Sequence, residues 1–92
     1  YLPIDAKARA ARLREMAEAI RKRRQTQIFI ETPYRNRRLV SELKDTLPGN
    51  MLLCVGLDIT GPGQRIVTKS LDKWRQEDLP KEKIPAIFLL YS

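Results

Sequence analysis

The chain has no histidine among its 92 residues and a single cysteine, Cys54. The first absence excludes histidine triads, histidine zinc sites and the commonest general base. The second excludes an internal disulfide framework and fits a reducing compartment, so a cytoplasmic location is expected. Aromatic residues are scarce at 7%, with one tryptophan. No apolar run approaches the ~18 residues of a membrane span, the longest being 51–57, so no membrane association is expected. The N-terminus reads as a charged helix and not as the apolar core of a signal peptide. Because the chain opens on Tyr1 and not on Met, it is expected to be processed or to be a piece of something longer.

What is present is the composition of one small globular domain, with 42% hydrophobic and 32% charged residues. Basic residues number 18 and acidic residues 11, a net charge of +7. The first 24 residues hold +5 of that and the remaining 68 only +2. A basic element on a nearly balanced body suits a polyanionic partner.

Asp5 is the expected N-cap of a helix over 6–24, with Leu13, Met16, Ala17 and Ile20 as one buried stripe. The short β-branched run 27–31 predicts a buried strand. Thr32-Pro33 predicts an N-cap with proline at the first helical position. Leu39, Val40, Leu43 and Leu47 form the core face of that second helix. The unalternating run 51–57 predicts a strand covered on both faces. Turn residues at 60–63 lead to a third strand over 64–69, with Ile66 facing opposite to Arg65 and Val67. Ser70 is the expected cap of a short helix holding Leu71 and Trp74. A charged, proline-bearing loop over 79–83 leads to a last strand over 85–91. The order α-β-α-β-β-α-β predicts an α/β (α+β) single domain with a mixed β-sheet flanked by helices.

Two segments concentrate chemistry. Arg35, Arg37 and Arg38 fall in the first turns of a helix, where the macrodipole disfavours cations by ~0.3–1 kcal/mol each. The run 21–24 lies at a helix C-terminus, where the dipole favours it, so that run has a sufficient structural explanation. Arg35 is therefore a candidate substrate or anion contact, with an Arg35–Glu31 ion pair as the alternative, and the adjacent Tyr34 is named as a candidate contact with it. Glu31, at a strand end before a tight turn into a helix, occupies a usual ligand position in open sheets. The segment 58–63 reads as a turn and lacks the pattern of a phosphate loop. Cys54 reads as a small buried hydrophobe and Trp74 as core. Asp72, Glu77, Asp78 and Glu82 have no metal-site spacing, and no residue stands out as a catalytic base.

The order of Tyr1-Leu2-Pro3, a basic helix, the stretch 27–36, Val55-Gly-Leu-Asp-Ile-Thr60 and Pro85-Ala-Ile-Phe-Leu-Leu90 resembles a known family. It is similar to the C-terminal half of the tetrapyrrole methylase superfamily, nearest the small-subunit ribosomal RNA 2′-O-ribose methyltransferases. The resemblance implies that residues 1–92 are the second domain of a two-domain enzyme, with S-adenosylmethionine held between the halves. The first half of the same chain, with its Gly-rich cofactor loop, is then the expected partner, and homodimerisation is common in the family. Cofactor contacts, largely through backbone, carry over to Leu2 and Pro3, Ile30 and Glu31, Gly56 and Leu57, and Pro85 and Ala86. Where the ribosomal enzymes have Ala-Arg-Glu-Leu-Thr-Lys, this chain has 56–61, with Leu57 and Gly61 replacing the two cations. RNA is thus one expected acceptor among the RNA, protein and porphyrinoid substrates of the superfamily. The half-domain alone is expected to be inactive. A free-standing basic module that binds RNA or another polyanion is the other reading.

Overall fold

A computed structural model describes residues 1–32, 35–80 and 83–92. Helix α1 spans Ala6–Arg23, and the Asp5 carboxylate accepts the Ala8 N–H at 3.0 Å, capping it as the sequence implies. The helix ends on Arg24 in the left-handed region (φ 53°), with its N–H returned to the Ile20 carbonyl at 3.0 Å. Strand β1 is Gln27–Ile30. Helix α2 spans Asn36–Thr46 and starts later than Thr32-Pro33 predicts. The Thr32 carbonyl closes a turn onto the Arg35 N–H at 2.8 Å, and Arg35, which offers no side-chain acceptor, stands at the N-cap. The Pro33 and Tyr34 assignments lie outside the described residues.

Strands β2 (Leu52–Leu57), β3 (Arg65–Ser70) and β4 (Ala86–Tyr91) complete a four-stranded sheet in the order β1-β4-β2-β3. Every pairing is antiparallel, where a mixed sheet was expected. β1 and β2 do run in the same direction, as a strand–helix–strand crossover requires. β4 inserts between them in the opposite sense and removes the parallel pairing. Between β3 and β4 the expected short helix is two single 3-10 turns, Leu71–Lys73 and Gln76–Asp78. Ser70 does not cap the first; its hydroxyl donates to Asp72 Oδ1.

The core lies between one face of the sheet and the helices. Leu13, Met16 and Ile20 of α1 and Leu39, Val40 and Leu43 of α2 share one buried cluster with Phe29, Leu53, Val55, Phe88 and Leu90. Phe29 and Phe88 stack across the β1–β4 pair with centroids 5.5 Å apart. Trp74 closes the far side of the core. Its indole N–H is shared between the carbonyls of Leu53 (3.0 Å) and Lys69 (3.1 Å), and the Lys69 ammonium lies 5.1 Å from the ring.

The opposite face departs from expectation. β2 was predicted to be covered on both sides, yet its outer residues Leu52 and Cys54 are only half-buried. Ile28 and Ile66, on the two edge strands of the same outer face, are 64% and 61% exposed. The helices satisfy one face of an apolar sheet and leave the other open.

Candidate functional site at one end of the sheet

The end of β1, the end of β2 and the start of β4 meet at one edge of the fold. Ile30 and Gly56 both pair with Ile87, Leu57 pairs with Ala86, and the Asp58 N–H bonds the Pro85 carbonyl at 3.0 Å. Six of the eight residues named as cofactor contacts therefore converge here: Ile30, Glu31, Gly56, Leu57, Pro85 and Ala86. Strand alternation then divides them between two sides.

On the outer side, Gly56, Ile59, Pro85, Ala86 and Ile87 line an apolar cleft of about 280 Å³. A Cβ at Gly56 would stand 2.8 Å from Ile59 Cδ1 and 3.1 Å from Ile87 Cγ2, so glycine is what lets Ile59 fold over the strand end. The 58–63 turn is present as predicted, but its left-handed residues are Asp58 (φ 47°) and Thr60 (φ 66°), not its glycines. The Asp58 carboxylate braces it by accepting the Gly63 N–H at 3.0 Å, and Gln64 Oε1 accepts the Thr60 N–H at 2.7 Å.

On the helix side lies an ion cluster that sequence reasoning missed. The Arg9 guanidinium forks onto Glu42 (Nε–Oε2 3.0 Å, Nη2–Oε1 2.7 Å) and donates through Nη1 to Glu31 Oε2 at 2.7 Å and to the Pro3 carbonyl at 3.1 Å. Arg9 and Glu31 are both buried. The arginine pKa is raised, chiefly by its hydrogen bonds to Glu42, with desolvation opposing and Glu31 adding to the rise. Glu31 thus takes Arg9 as its cation, where the alternative reading of the sequence offered Arg35, and its Oε1 accepts the Thr32 N–H at 3.0 Å. The signal was present: Arg9 lies four residues before Leu13, on the extension of the buried stripe of α1. Through Arg9, the Pro3 carbonyl is tied to the end of β1. Leu2 is a core residue, as is the Leu57 side chain.

Arg35 lines a second concavity, of about 300 Å³, with Arg9, Arg38, Glu42 and Asp45. Acids alternate with bases there, so it is not a uniformly positive surface. Tyr34 lies outside the described residues. Arg37 is drawn into the structure, donating Nε to the Leu79 carbonyl at 2.9 Å. Asn36, buried in the first turn of α2, donates Nδ2 to the Ile84 carbonyl at 3.3 Å, fixing the lead-in to β4 behind the cleft. Its Oδ1 is buried with no hydrogen-bond partner among the described residues. Among those residues, no helix is long and apolar enough to cross a membrane.

No protein-family model matches the sequence, and no curated protein matches it. The fold is similar to a solved structure described as the crystal structure of the methyltransferase CobJ, with a TM-score of 0.56 and 17% identity. The match covers 89% of this chain and 35% of that one, so this chain spans about a third of the length of that structure's chain. At that identity the likeness is one of fold.

Proposed function

We propose that this chain is the second-domain half of a methyltransferase of the tetrapyrrole methylase type, and that the sheet end forms one wall of an S-adenosylmethionine site. The observation that carries the reading is the convergence of three separate segments, 30–31, 56–57 and 85–86, at one sheet edge, with Gly56, Pro85 and Ala86 in one apolar cleft. The fold likeness to a methyltransferase supports it. A cleft of about 280 Å³ lies below the ~300–1,000 Å³ of complete small-molecule sites, so this wall fits part of the cofactor and needs a second one.

When bound, the cofactor supplies an electrophilic methyl group, and the protein's share is positioning and exclusion of water. Gly56, lacking a Cβ, lets Ile59 close over the end of β2, so the ligand-facing apolar surface of the cleft is Ile59, Ile87 and Pro85. Those side chains would shield a bound group from solvent. The Arg9–Glu31 pair and the Asn36–Ile84 bond hold β1, α2 and the β4 lead-in at fixed separation. The methyl acceptor, RNA among the candidates, belongs to the remainder of such an enzyme.

Amide chemical-shift mapping with S-adenosylhomocysteine tests this reading. Expected shifts cluster at Gly56–Ile59, Ala86–Ile87 and Glu31–Thr32, with affinity weaker than micromolar because half of the site is missing. Shifts confined to α1, or none at millimolar ligand, refute the site. The other reading, a polyanion-binding module, rests on the charge of +5 within the first 24 residues and on the arginines Arg35, Arg37 and Arg38 around the start of α2. It predicts RNA affinity that falls steeply with salt.

A further inference from the structure

The cleft at the sheet end is covered by a turn whose backbone is under strain. Between β2 and β3 the chain enters the left-handed region twice, at Asp58 (φ 47°) and at Thr60 (φ 66°). Aspartate tolerates that region, but threonine, branched at Cβ, is among the residues that take it at greatest cost. Gly61 and Gly63 would accept it freely, stand in the same turn, and do not adopt it. Strain of this kind survives where the surroundings over-determine the backbone, and it gathers at ligand clamps and moving segments.

What holds this turn is light. The Asp58 carboxylate accepts the Gly63 N–H at 3.0 Å, and Gln64 Oε1 accepts the Thr60 N–H at 2.7 Å. Both bonds are exposed, so water competes for their partners. Ile59 anchors the turn on its apolar side, lying across the end of β2 where Gly56 leaves room for it, yet it remains 44% exposed. The two ends of the turn are firmer. The Asp58 N–H is bonded to the Pro85 carbonyl at 3.0 Å, and β3 begins at Arg65.

We propose that residues 59–63 form a lid on the cleft, hinged at Asp58 and Gln64, which carries Ile59 on and off the Gly56 end of β2. Closing covers part of Ile59 and strains Thr60. Opening relaxes Thr60, returns Ile59 to water and uncovers the Gly56 backbone as the way in for a ligand. In the empty cleft these two costs oppose each other, so both states are populated. A group lying on Pro85 and Ile87 offers Ile59 further apolar surface in the closed state alone, and that differential contact draws the lid shut. Ile59, absent from the cofactor contacts that the sequence implied, thereby becomes a binding residue. The identity of the ligand rests on the cofactor reading; the motion does not.

Amide relaxation dispersion on the 92-residue chain, free and with S-adenosylhomocysteine, tests the lid, because motions of this kind fall in the μs–ms range. In the free chain, exchange is expected at Gly56, at 59–63 and at Ala86, with flat profiles along α1. Saturating ligand suppresses it. Thr60→Asn replaces an exposed residue by one that tolerates the left-handed region, so the open population falls by about threefold or more and ligand dissociation slows by a similar factor. Asp58→Ala removes the brace on Gly63, raises the open population and speeds dissociation. A free chain without exchange at 56–63, or a Thr60→Asn variant that exchanges as the parent does, overturns the lid. Exchange that responds to both substitutions, in a chain whose amides do not shift with millimolar S-adenosylhomocysteine, upholds the lid and overturns the cofactor as its ligand.

Discussion

Replacing Arg9 by methionine isolates the most exposed dependency of this fold: a buried carboxylate that relies on one cation. The Glu31 side chain is 3% exposed, and its Oε2 bonds Arg9 at 2.7 Å. Methionine keeps the aliphatic stem of Arg9 against α1 and removes the charge. Glu31 Oε1 retains the Thr32 N–H at 3.0 Å, but Oε2 loses its cation. Breaking a buried ion pair by removing one partner costs ~3–5 kcal/mol, and the surviving amide bond places this case near the lower figure. Glu42 differs. Its side chain is 30% exposed, so water replaces much of what Arg9 gave it, and Glu42→Gln costs ~1 kcal/mol or less. A domain of this length has a total stability of roughly 5–14 kcal/mol, so both variants fold at 25 °C. Urea denaturation at pH 7 provides the comparison, and a thermal scan should show Arg9→Met melting ~12–24 °C below the parent chain. Adding Glu31→Gln to Arg9→Met should recover at least half of the loss, because the uncompensated charge is gone. If Arg9→Met costs no more than Glu42→Gln, or the second substitution recovers nothing, burial of Glu31 is not what the arginine serves.

Two further outcomes follow from the same geometry. Gly56→Ala places a methyl group 2.8 Å from Ile59 Cδ1, a flexible side-chain end that can shift, so the expected cost is ~1–2 kcal/mol by urea denaturation, with S-adenosylhomocysteine shifts lost at Ala86 and Ile87. Asp78 has its pKa lowered, first by the Lys69 hydrogen bond at 2.8 Å and then by the Arg75 N–H. A lowered carboxyl contributes stability that is fully present above its ordinary value near pH ~4 and is lost as pH falls through the lower folded value. Urea midpoints taken at pH 7, 4 and 3 should therefore show Asp78→Asn losing less on acidification than the parent, and identical acid losses would contradict the role given to this pair.

The elements that periodicity exposes were legible: α1 with its Asp5 cap, α2 from its leucine spacing, and the four strands in their order. These depend on local pattern, and local pattern is what a sequence records directly. The start of α2 was not legible, because Thr32-Pro33 has the composition of a cap while Glu31, from outside the helix, takes the Thr32 amide. The sheet was read as mixed because nothing local tells β4 to enter between β1 and β2. The convergence of segments 30–31, 56–57 and 85–86 became visible only through the family resemblance, since their separations along the chain carry no periodic signal. The Arg9–Glu31–Glu42 cluster escaped because three charged residues 11 to 33 positions apart look like solvated surface until two helices and a strand end are packed together.

The unalternating run of β2 shows most clearly where sequence and single-chain structure part. A strand apolar on both faces is selected for two covers, and here the helices supply one. Leu53 and Val55 are buried against α1 and α2, while Leu52 and Cys54, one residue out of phase, point into a face whose edges carry two largely exposed isoleucines. Exposed isoleucine on an edge strand invites association, and soluble sheets usually place lysine or proline there. This chain has abundant lysine and arginine and places none on that face. The basic residues collect instead on α1, at the start of α2 and on the helix side of β3, as Arg65 and Lys69 do. The helices of this chain therefore cover one of the two apolar faces that the run 51–57 carries, and the cross-strand register leaves the other lined by Ile28, Leu89, Cys54 and Thr68 in one row, with no charged side chain in it.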